Sequence, residues 1–354
     1  MLGVWLSAFG YFLVLIVMSP LVFAAWLLAR YCPRPGAVRN SARLILLSAA
    51  YLATFEIPAL IGTPRLRRRR QYQQLAARIN THFVESGFRF ARMRIHATTP
   101  LPPSSAERPV IVLARHAGAF NSYLVWHQIT RDLRHYPETV AKRIRLFTPG
   151  FLRLMFGAGV VFIECTAEGR AAGARHLRRM AAQARADDAL LLFPEGTNYT
   201  RGKRTAAIAA LRAAGRHQHA ARACEMRNVL PPHPGGARLL VTSRPDADVL
   251  IFAHTGLEDL LHVGPRADRT TDGAVYTAWW HVPADQVPHE PDAFAEWLSD
   301  RWCAADQWIT QVRIGAGGRP ARTRDTTGEE PPCLTRSGPT PTRRWRSYSA
   351  AAGT

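Results

Sequence analysis

The sequence contains little cysteine and almost no lysine. Its 354 residues include five cysteines, an odd number, at scattered positions without a CxxC pair (Cys32, Cys165, Cys224, Cys303 and Cys333). This spacing argues against a disulfide framework and against a cysteine-based zinc module, so we expect a reduced domain that faces the cytoplasm. Lysine occurs only twice among the 46 basic residues, so the basic charge comes from arginine.

Acidic residues are also scarce: 26 against 46 basic ones, which gives a formal net charge of +20. Such a charge attracts nucleic acid, anionic lipid or a phosphorylated substrate. The densest basic run, Arg67–Arg70, adjoins apolar sequence, and no DNA- or RNA-binding motif is present. A nucleic-acid partner is therefore not expected. An apolar content of 47% excludes disorder of the whole chain.

Charged residues are absent from Val4 to Ala29, a stretch long enough to cross a hydrocarbon core of about 30 Å. No Lys or Arg precedes it and no clear A-x-A site follows, so a retained anchor is favoured over a cleaved signal peptide. Four arginines then follow, which predicts that the rest of the chain lies in the cytoplasm; they are Arg30, Arg34, Arg39 and Arg43.

A second apolar stretch, 44–61, is interrupted by Glu56 and Pro58. If it spanned the membrane, Arg67–Arg70 would lie outside, so a re-entrant or interfacial arrangement is favoured. Beyond it, apolar residues at four-residue spacing predict an amphipathic helix, either at an anionic membrane surface or packed in the core; they are Leu75, Ile79 and Phe83.

Strand and helix patterns alternate through the middle of the chain, as in α/β proteins. Strands are predicted at 109–114, 143–148, 160–163, 189–193, 249–253 and 275–282. Helices are predicted at 122–133, 167–185, 205–214 and 293–312. The expected organisation is a membrane-anchoring helical region (1–64), an α/β domain (65–314) and a disordered tail (315–354) rich in Gly, Pro, Arg, Ser and Thr.

Two polar segments each begin where an apolar strand ends: RHAGAFNS (115–122) and FPEGTNYT (193–200). In open α/β sheets ligands bind at the carboxyl ends of strands. His116 and Asn121 are five residues apart, and Gly118 permits the turn that would bring them together. The imidazole would then be oriented by the amide. A capping turn with an incidental histidine, with Asn121 or Ser122 as the N-cap, is the alternative.

In the second segment, Pro194 ends the strand and Glu195 is a sheltered carboxylate. Backbone N–H groups of Gly196 and Thr197 are candidates to hold a phosphate or an oxyanion, although a plain loop exit has the same composition. A serine hydrolase that uses Ser122 lacks a GxSxG elbow. No metal site is expected either, because the HxH pair His217 and His219 has no closely flanking carboxylate.

Together and in this order, the two segments resemble the HxxxxD and FPEGT(R) blocks of the glycerophospholipid acyltransferase family. VFIEC (161–165) and VLPPHPGG (229–236) resemble two further blocks. The resemblance implies a mixed β-sheet flanked by helices, behind N-terminal membrane-anchoring helices. It implies acyl transfer from acyl-CoA, or from an acyl-carrier protein, to the free hydroxyl of a lysophospholipid, with lysophosphatidic acid as the first candidate. No metal or redox cofactor is implied.

The resemblance also assigns roles to residues. His116 is the expected general base, and Asn121 orients it. The enzyme would work on membrane phospholipids at the cytoplasmic face of the cell membrane. The expected substrate-binding residues are Arg115, Phe193, Pro194, Glu195, Gly196, Thr197, Thr200, Lys203 and His233.

Several positions depart from the family blocks. Asn121 replaces an aspartate, so the orienting residue carries no charge, and Cys165 and Asn198 stand where arginines are usual. His233 stands roughly where a further arginine is common. Other arginines are available to compensate: Arg115, Arg170, Arg201 and Arg204. The alternative hypothesis is a catalytically impaired membrane scaffold that keeps the acyltransferase fold.

Overall fold

The computed structural model describes residues 2–32, 36–102, 108–142, 148–163, 166–261 and 272–316. Residues 317–354 of the predicted tail, Cys165 and most of the predicted strand 143–148 lie outside these residues, as does the side chain of Arg170.

Six helices precede the main part of the sheet: α1 (Leu2–Val17), α2 (Ser19–Tyr31), α3 (Ala37–Tyr51), α4 (Ile57–Gly62), α5 (Arg69–His82) and α6 (Phe88–Phe90). The predicted single anchor 4–29 is in fact two helices, α1 and α2, bent by 55°. Pro20 lies at the start of α2 and lacks the N–H that would continue the helical hydrogen bonds, which accounts for the break.

The second apolar stretch is not interrupted as the sequence suggested. A π-helical turn at Leu52–Glu56 joins α3 to α4, and Pro58 lies directly after this turn, in the first turn of α4. The helical run Ala37–Arg65 is long and apolar enough to cross a membrane, and 39% of its most apolar window is buried inside the protein. The bent α1–α2 pair would be a second span if it is counted as one.

In the part of the chain that the structure describes, the sheet has seven strands: β1 (Arg94–Ala97), β2 (Val110–Ala114), β3 (Tyr136–Lys142), β4 (Val161–Ile163), β5 (Asp188–Leu192), β6 (Val249–Thr255) and β7 (Ala274–Val282). Their order is β1-β7-β6-β2-β5-β3-β4. Among the strands in the described residues only the β6–β7 pair is antiparallel, so the sheet is mixed and the predicted fold class is confirmed. Strand β3 lies just before the predicted strand 143–148. It was not predicted, because Pro137 and Glu138 interrupt the apolar pattern of its residues.

Seven further helices complete the domain: α7 (Asn121–Arg131), α8 (Pro149–Ala158), α9 (Ala167–Gln183), α10 (Arg201–Ala213), α11 (His217–Glu225), α12 (Pro234–Ser243) and α13 (Pro291–Gly315). One core lies between a sheet face and helices that include α3, α5 and α7, and a second lies between the other face and α9, α12 and α13. Of the two interpretations for α5, the structure shows core packing, because Ile79 and Phe83 are buried and the half-buried Leu75 packs against the same core.

Buried polar contacts tie the N-terminal helices to the α/β part. Glu56 lies in the π-helical turn and is fully buried. Its carboxylate accepts hydrogen bonds from the backbone N–H of Gly150 (2.7 Å) and Phe151 (3.0 Å), at the start of α8. Arg43 in α3 pairs with the carboxylate of Asp272 at 3.0 Å. The charge at Glu56, which looked like an interruption in a membrane segment, is therefore a helix cap.

Candidate active site

The two motif segments meet because β2 and β5 are adjacent parallel strands, with Leu113 opposite Leu192. After β2 the chain turns through Gly118 (φ +84°) and Phe120 (φ +59°) and then enters α7. The N-cap of α7 is Phe120, whereas Asn121 or Ser122 was expected. A Cβ at Gly118 would lie 2.3 Å from the backbone carbon of Leu257, so the turn requires glycine.

This turn brings His116 and Asn121 together. The Nδ1 atom of His116 lies 2.8 Å from the Oδ1 atom of Asn121, which is buried. An amide oxygen can only accept, so Nδ1 carries the proton and the lone pair lies on Nε2. The ring of Phe193 lies 4.6 Å from the imidazole, centroid to centroid, and limits its motion. The site thus contains an oriented imidazole at the carboxyl end of the sheet.

Glu195 holds this arrangement together through the backbone. Its Oε1 atom accepts the N–H of His116 and its Oε2 atom accepts the N–H of Leu230, both at 2.9 Å. The N–H of Tyr199 in turn donates to the carbonyl of His116 at 2.8 Å. Burial raises the pKa of Glu195 to about 7, although Arg115 and the two N–H donors oppose the shift. The carboxylate points inward, not toward a substrate as the sequence suggested.

Arg115 is also placed differently from the expectation. Its guanidinium donates to the carbonyl of Asn228 at 2.7 Å and to that of His254, and it pairs with Glu258 at 3.2 Å. Glu258 pairs with Arg313 of α13 at 3.0 Å. Successive residues of a strand point to opposite faces, so Arg115 and His116 separate at the end of β2. Arg115 is a buried structural residue.

The positive charge near the FPEGT segment comes from α10. The ammonium of Lys203 donates to Thr197 Oγ1 at 2.8 Å and to the Asn198 carbonyl at 3.1 Å, and it is exposed. The hydroxyl of Thr200 caps α10 by accepting the Lys203 N–H at 3.2 Å. Arg201 is exposed at the start of α10. Arg204 is held by the carbonyls of Cys224 (2.8 Å) and Met226, so it does not replace a missing arginine.

The remaining predicted substrate residues form the loop itself. The N–H of Gly196 (φ +66°) donates to the Phe193 carbonyl at 2.9 Å, so it is not the expected phosphate donor. Pro194 is buried, and its carbonyl accepts the His233 N–H at 2.9 Å. The His233 imidazole is exposed beside Gly196, since a Cβ there would lie 3.5 Å from its Cδ2 atom.

The structure adds two residues that the sequence analysis did not assign to the site. Asn198 contacts Asn121. His254 lies on β6 two residues beyond Phe252, the partner of Ala114 in β2. Burial lowers the pKa of His254 to about 3, helped by Arg115, so the side chain is neutral. Strand register would have placed it near His116, but single-sequence patterns do not give register.

The alternative sites gain no support from the described residues. Ser122 is exposed on α7, and the Nδ1 atom of His116 is directed to Asn121. His217 is exposed in the first turn of α11. Within the described part of the chain, no three His, Cys, Asp or Glu side chains come together in a way that could hold a metal ion.

Comparisons with known proteins bear on the family and the fold. Residues 92–254 match the acyltransferase family model. The fold is similar to the crystal structure of the 1-acyl-sn-glycerophosphate (LPA) acyltransferase PlsC from Thermotoga maritima, with a TM-score of 0.51 and 14% identity over 80% of this chain and 99% of that chain. A comparison with curated proteins gives no match. The match over residues 92–254 confirms the resemblance to acyltransferases that the sequence blocks predicted.

Proposed function

We propose that this acyltransferase moves a fatty acyl group from acyl-CoA, or from an acyl-carrier protein, to the free hydroxyl of a lysophospholipid. Lysophosphatidic acid is the first acceptor to test, in keeping with the substrate named for the Thermotoga maritima enzyme. The observation that carries the proposal is the 2.8 Å contact between His116 Nδ1 and Asn121 Oδ1, beside the FPEGT segment.

The reaction needs one base and no covalent intermediate. The Nε2 atom of His116 takes the proton of the acceptor hydroxyl while its oxygen attacks the thioester carbonyl. The tetrahedral intermediate collapses, the carbon–sulfur bond breaks, and the thiolate takes the proton from the imidazolium. The products are an ester and a free thiol. Asn121 fixes the tautomer through both steps, but as a neutral amide it adds no charge to stabilise the imidazolium.

Recognition of the acceptor phosphate is assigned to the exposed cations around the FPEGT segment. Lys203 uses two of its three ammonium donors on Thr197 and Asn198, which leaves one for a phosphate oxygen. Two further exposed side chains are available: Arg201, two residues before Lys203, and His233, which lies beside Gly196. Arg115, Glu195 and Gly196 are excluded from this role by their own hydrogen bonds.

The acceptor would reach the site from a membrane. Apolar side chains of α1 and α2 are exposed, which suits contact with lipid; they include Trp5, Phe9, Phe12, Phe23 and Leu28. We place the catalytic domain on the cytoplasmic face of the cell membrane because arginines follow the first apolar stretch. Membrane phospholipid and acyl-CoA are the proposed partners, and no nucleic acid or cofactor is included.

The test is acyl transfer by protein reconstituted in liposomes. Labelled oleoyl-CoA, palmitoyl-CoA and acyl-carrier protein would each be offered with lysophospholipids of different head groups. We expect product from the native protein and a loss of at least about 100-fold in His116→Ala. Lys203→Ala should raise the KM for a phosphate-bearing acceptor and leave the KM for the donor unchanged.

The impaired-scaffold alternative is favoured by one observation, the neutral Asn121. It predicts no product from the native protein and product from Asn121→Asp, because the carboxylate restores the charge beside the imidazole. Absence of product from both proteins, beside an active control acyltransferase, would contradict the proposed function for the acceptors tested.

A further inference from the structure

Asn121 and Asn198 share one backbone carbonyl, that of Gly118. The Nδ2 atom of Asn121 donates to it at 2.6 Å, and the Nδ2 atom of Asn198 donates to it at 3.2 Å. The same Nδ2 atom of Asn121 also donates to the Oδ1 atom of Asn198 at 3.3 Å. The two amides and the carbonyl therefore form a closed set of hydrogen bonds next to His116.

The orientation of the Asn121 amide decides which ring nitrogen is the base. A carboxylate presents two equivalent acceptors, whereas an amide presents one acceptor and one donor. If the Asn121 amide were reversed, its NH2 group would face His116 Nδ1 and the ring proton would move to Nε2. Nε2 could then no longer accept the proton of the acceptor hydroxyl. Its oxygen would then face two other acceptors, the Gly118 carbonyl and Asn198 Oδ1, which is unfavourable.

The identity of residue 198 matters for the same reason. Asn198 supplies an acceptor to Asn121 Nδ2 and a donor to the Gly118 carbonyl. An arginine at this position, as in the FPEGT(R) block, has only donors and would oppose the Asn121 NH2 group. The two departures from the family blocks at 121 and 198 are thus matched to each other.

We propose that Asn198 is a positioning residue that holds the Asn121 amide in the orientation that keeps the His116 proton on Nδ1. Its action on turnover rests on the proposed function. Its action on the tautomer does not, and this difference allows the two to be tested separately.

The kinetic test compares Asn198→Ala with the native protein. The variant should lower kcat about tenfold, since it removes hydrogen bonds of ordinary neutral strength from an orienting group. The KM for the donor should not change, because the Asn198 side chain acts through its contacts with Asn121 and the Gly118 carbonyl. Asn198→Asp keeps the acceptor for Asn121 Nδ2 but loses the donor to the Gly118 carbonyl, so it should recover only part of kcat.

Two further variants separate positioning from loosening of the fold. Asn80→Ala is the matched control: the buried Asn80 amide donates to the Tyr123 carbonyl at 2.9 Å and so supports the same helix, α7, without touching Asn121. It should leave kcat within about threefold of native. In an Asn121→Asp background, Asn198→Ala should also have less than about a threefold effect on kcat, because a carboxylate has no orientation to keep.

The structural readout is the 15N NMR spectrum of histidine-labelled protein, with the His116 signals identified by their loss in His116→Gln. The native protein should show the Nδ1–H tautomer, and Asn198→Ala should show a mixture of tautomers. An unchanged tautomer in Asn198→Ala, or an equal loss of kcat in the Asn121→Asp background, would overturn the inference. If the native protein forms no product, the proposed function fails while the NMR comparison still decides the role of Asn198.

Discussion

Glu195 should make the stability of this protein depend on pH. Both carboxylate oxygens accept backbone N–H groups, from His116 and Leu230, and burial raises the pKa from 4.5 to about 7. In Glu195→Gln, one oxygen becomes an NH2 group that cannot accept. One of the two backbone donors then stays buried without a partner, at a cost of about 1–3 kcal/mol.

The pH dependence follows from the raised pKa. The folded protein binds the Glu195 proton more tightly than the unfolded chain does, so this contribution to stability is fully present below pH 4.5. It is lost as the pH rises through about 7 and amounts to about 3 kcal/mol at 1.36 kcal/mol per pH unit. Glutamine does not titrate. The variant should therefore be less stable than the native protein at pH 5, and the difference should disappear or reverse by pH 8.

The assay is thermal unfolding of detergent-solubilised protein at pH 5, 6, 7 and 8, followed by tryptophan fluorescence. A change of about 3 kcal/mol corresponds to roughly 6 °C or more in the difference between the two midpoints. Glu225→Gln, at an exposed site on α11, is the control and should follow the native protein at every pH. A constant difference between native and Glu195→Gln would refute the raised pKa. Such a constant difference is also the result expected if Arg115 keeps the carboxylate ionised throughout this pH range.

Three further predictions concern the supports of the site. Gly118→Ala should cost about 1–2 kcal/mol in backbone strain and lower kcat more than tenfold, because φ is +84° and the new Cβ would meet the backbone of Leu257. The control is Gly202→Ala on α10, where a Cβ meets no other atom; it should change neither stability nor kcat. Glu56→Ala should lower the free energy of unfolding by about 3 kcal/mol, because the backbone N–H groups at the start of α8 lose their acceptor. The hydroxyl of Thr148 donates to the same carboxylate, and Thr148→Val, which removes this one hydrogen bond, should cost only about 1 kcal/mol in the same thermal unfolding experiment. Arg313→Ala should lower the free energy of unfolding by about 3 kcal/mol, because the buried Glu258 loses one of its two arginine partners. Arg313→Lys should recover only part of this stability, because an ammonium cannot contact Glu258 and Asp259 together as the guanidinium does. Equal unfolding midpoints for the two variants and the native protein would contradict this.

The location of the site could be predicted from the sequence because it depends on local rules. Apolar strands ending at Ala114 and Leu192, each followed by polar residues, placed both motif segments at the carboxyl edge of a sheet. The five-residue spacing between His116 and Asn121, with Gly118 between them, predicted the turn that the structure shows. No long-range pairing had to be known for either step.

The misplaced residues depend on pairings that one sequence does not reveal. Arg115 was expected at the substrate because a guanidinium within reach can pair with phosphate, but its partners come from distant segments, at Asn228 and Glu258. Glu56 looked like a break in a membrane segment, and its partners lie at the start of α8. In both cases a charge in an apolar context indicated a buried contact, but the partner could be identified only from the fold.

The Gly118 carbonyl is the fixed point from which the base is oriented. It accepts hydrogen bonds from Asn121 and Asn198, and its own position is set by the close approach of Gly118 to Leu257. Orientation therefore passes from the backbone turn to the amide of Asn121 and then to the imidazole. A neutral amide is sufficient for this task because the carbonyl and Asn198 determine which way it faces. The loss of a negative charge at residue 121 thus removes electrostatic support from the imidazolium but leaves the tautomer defined.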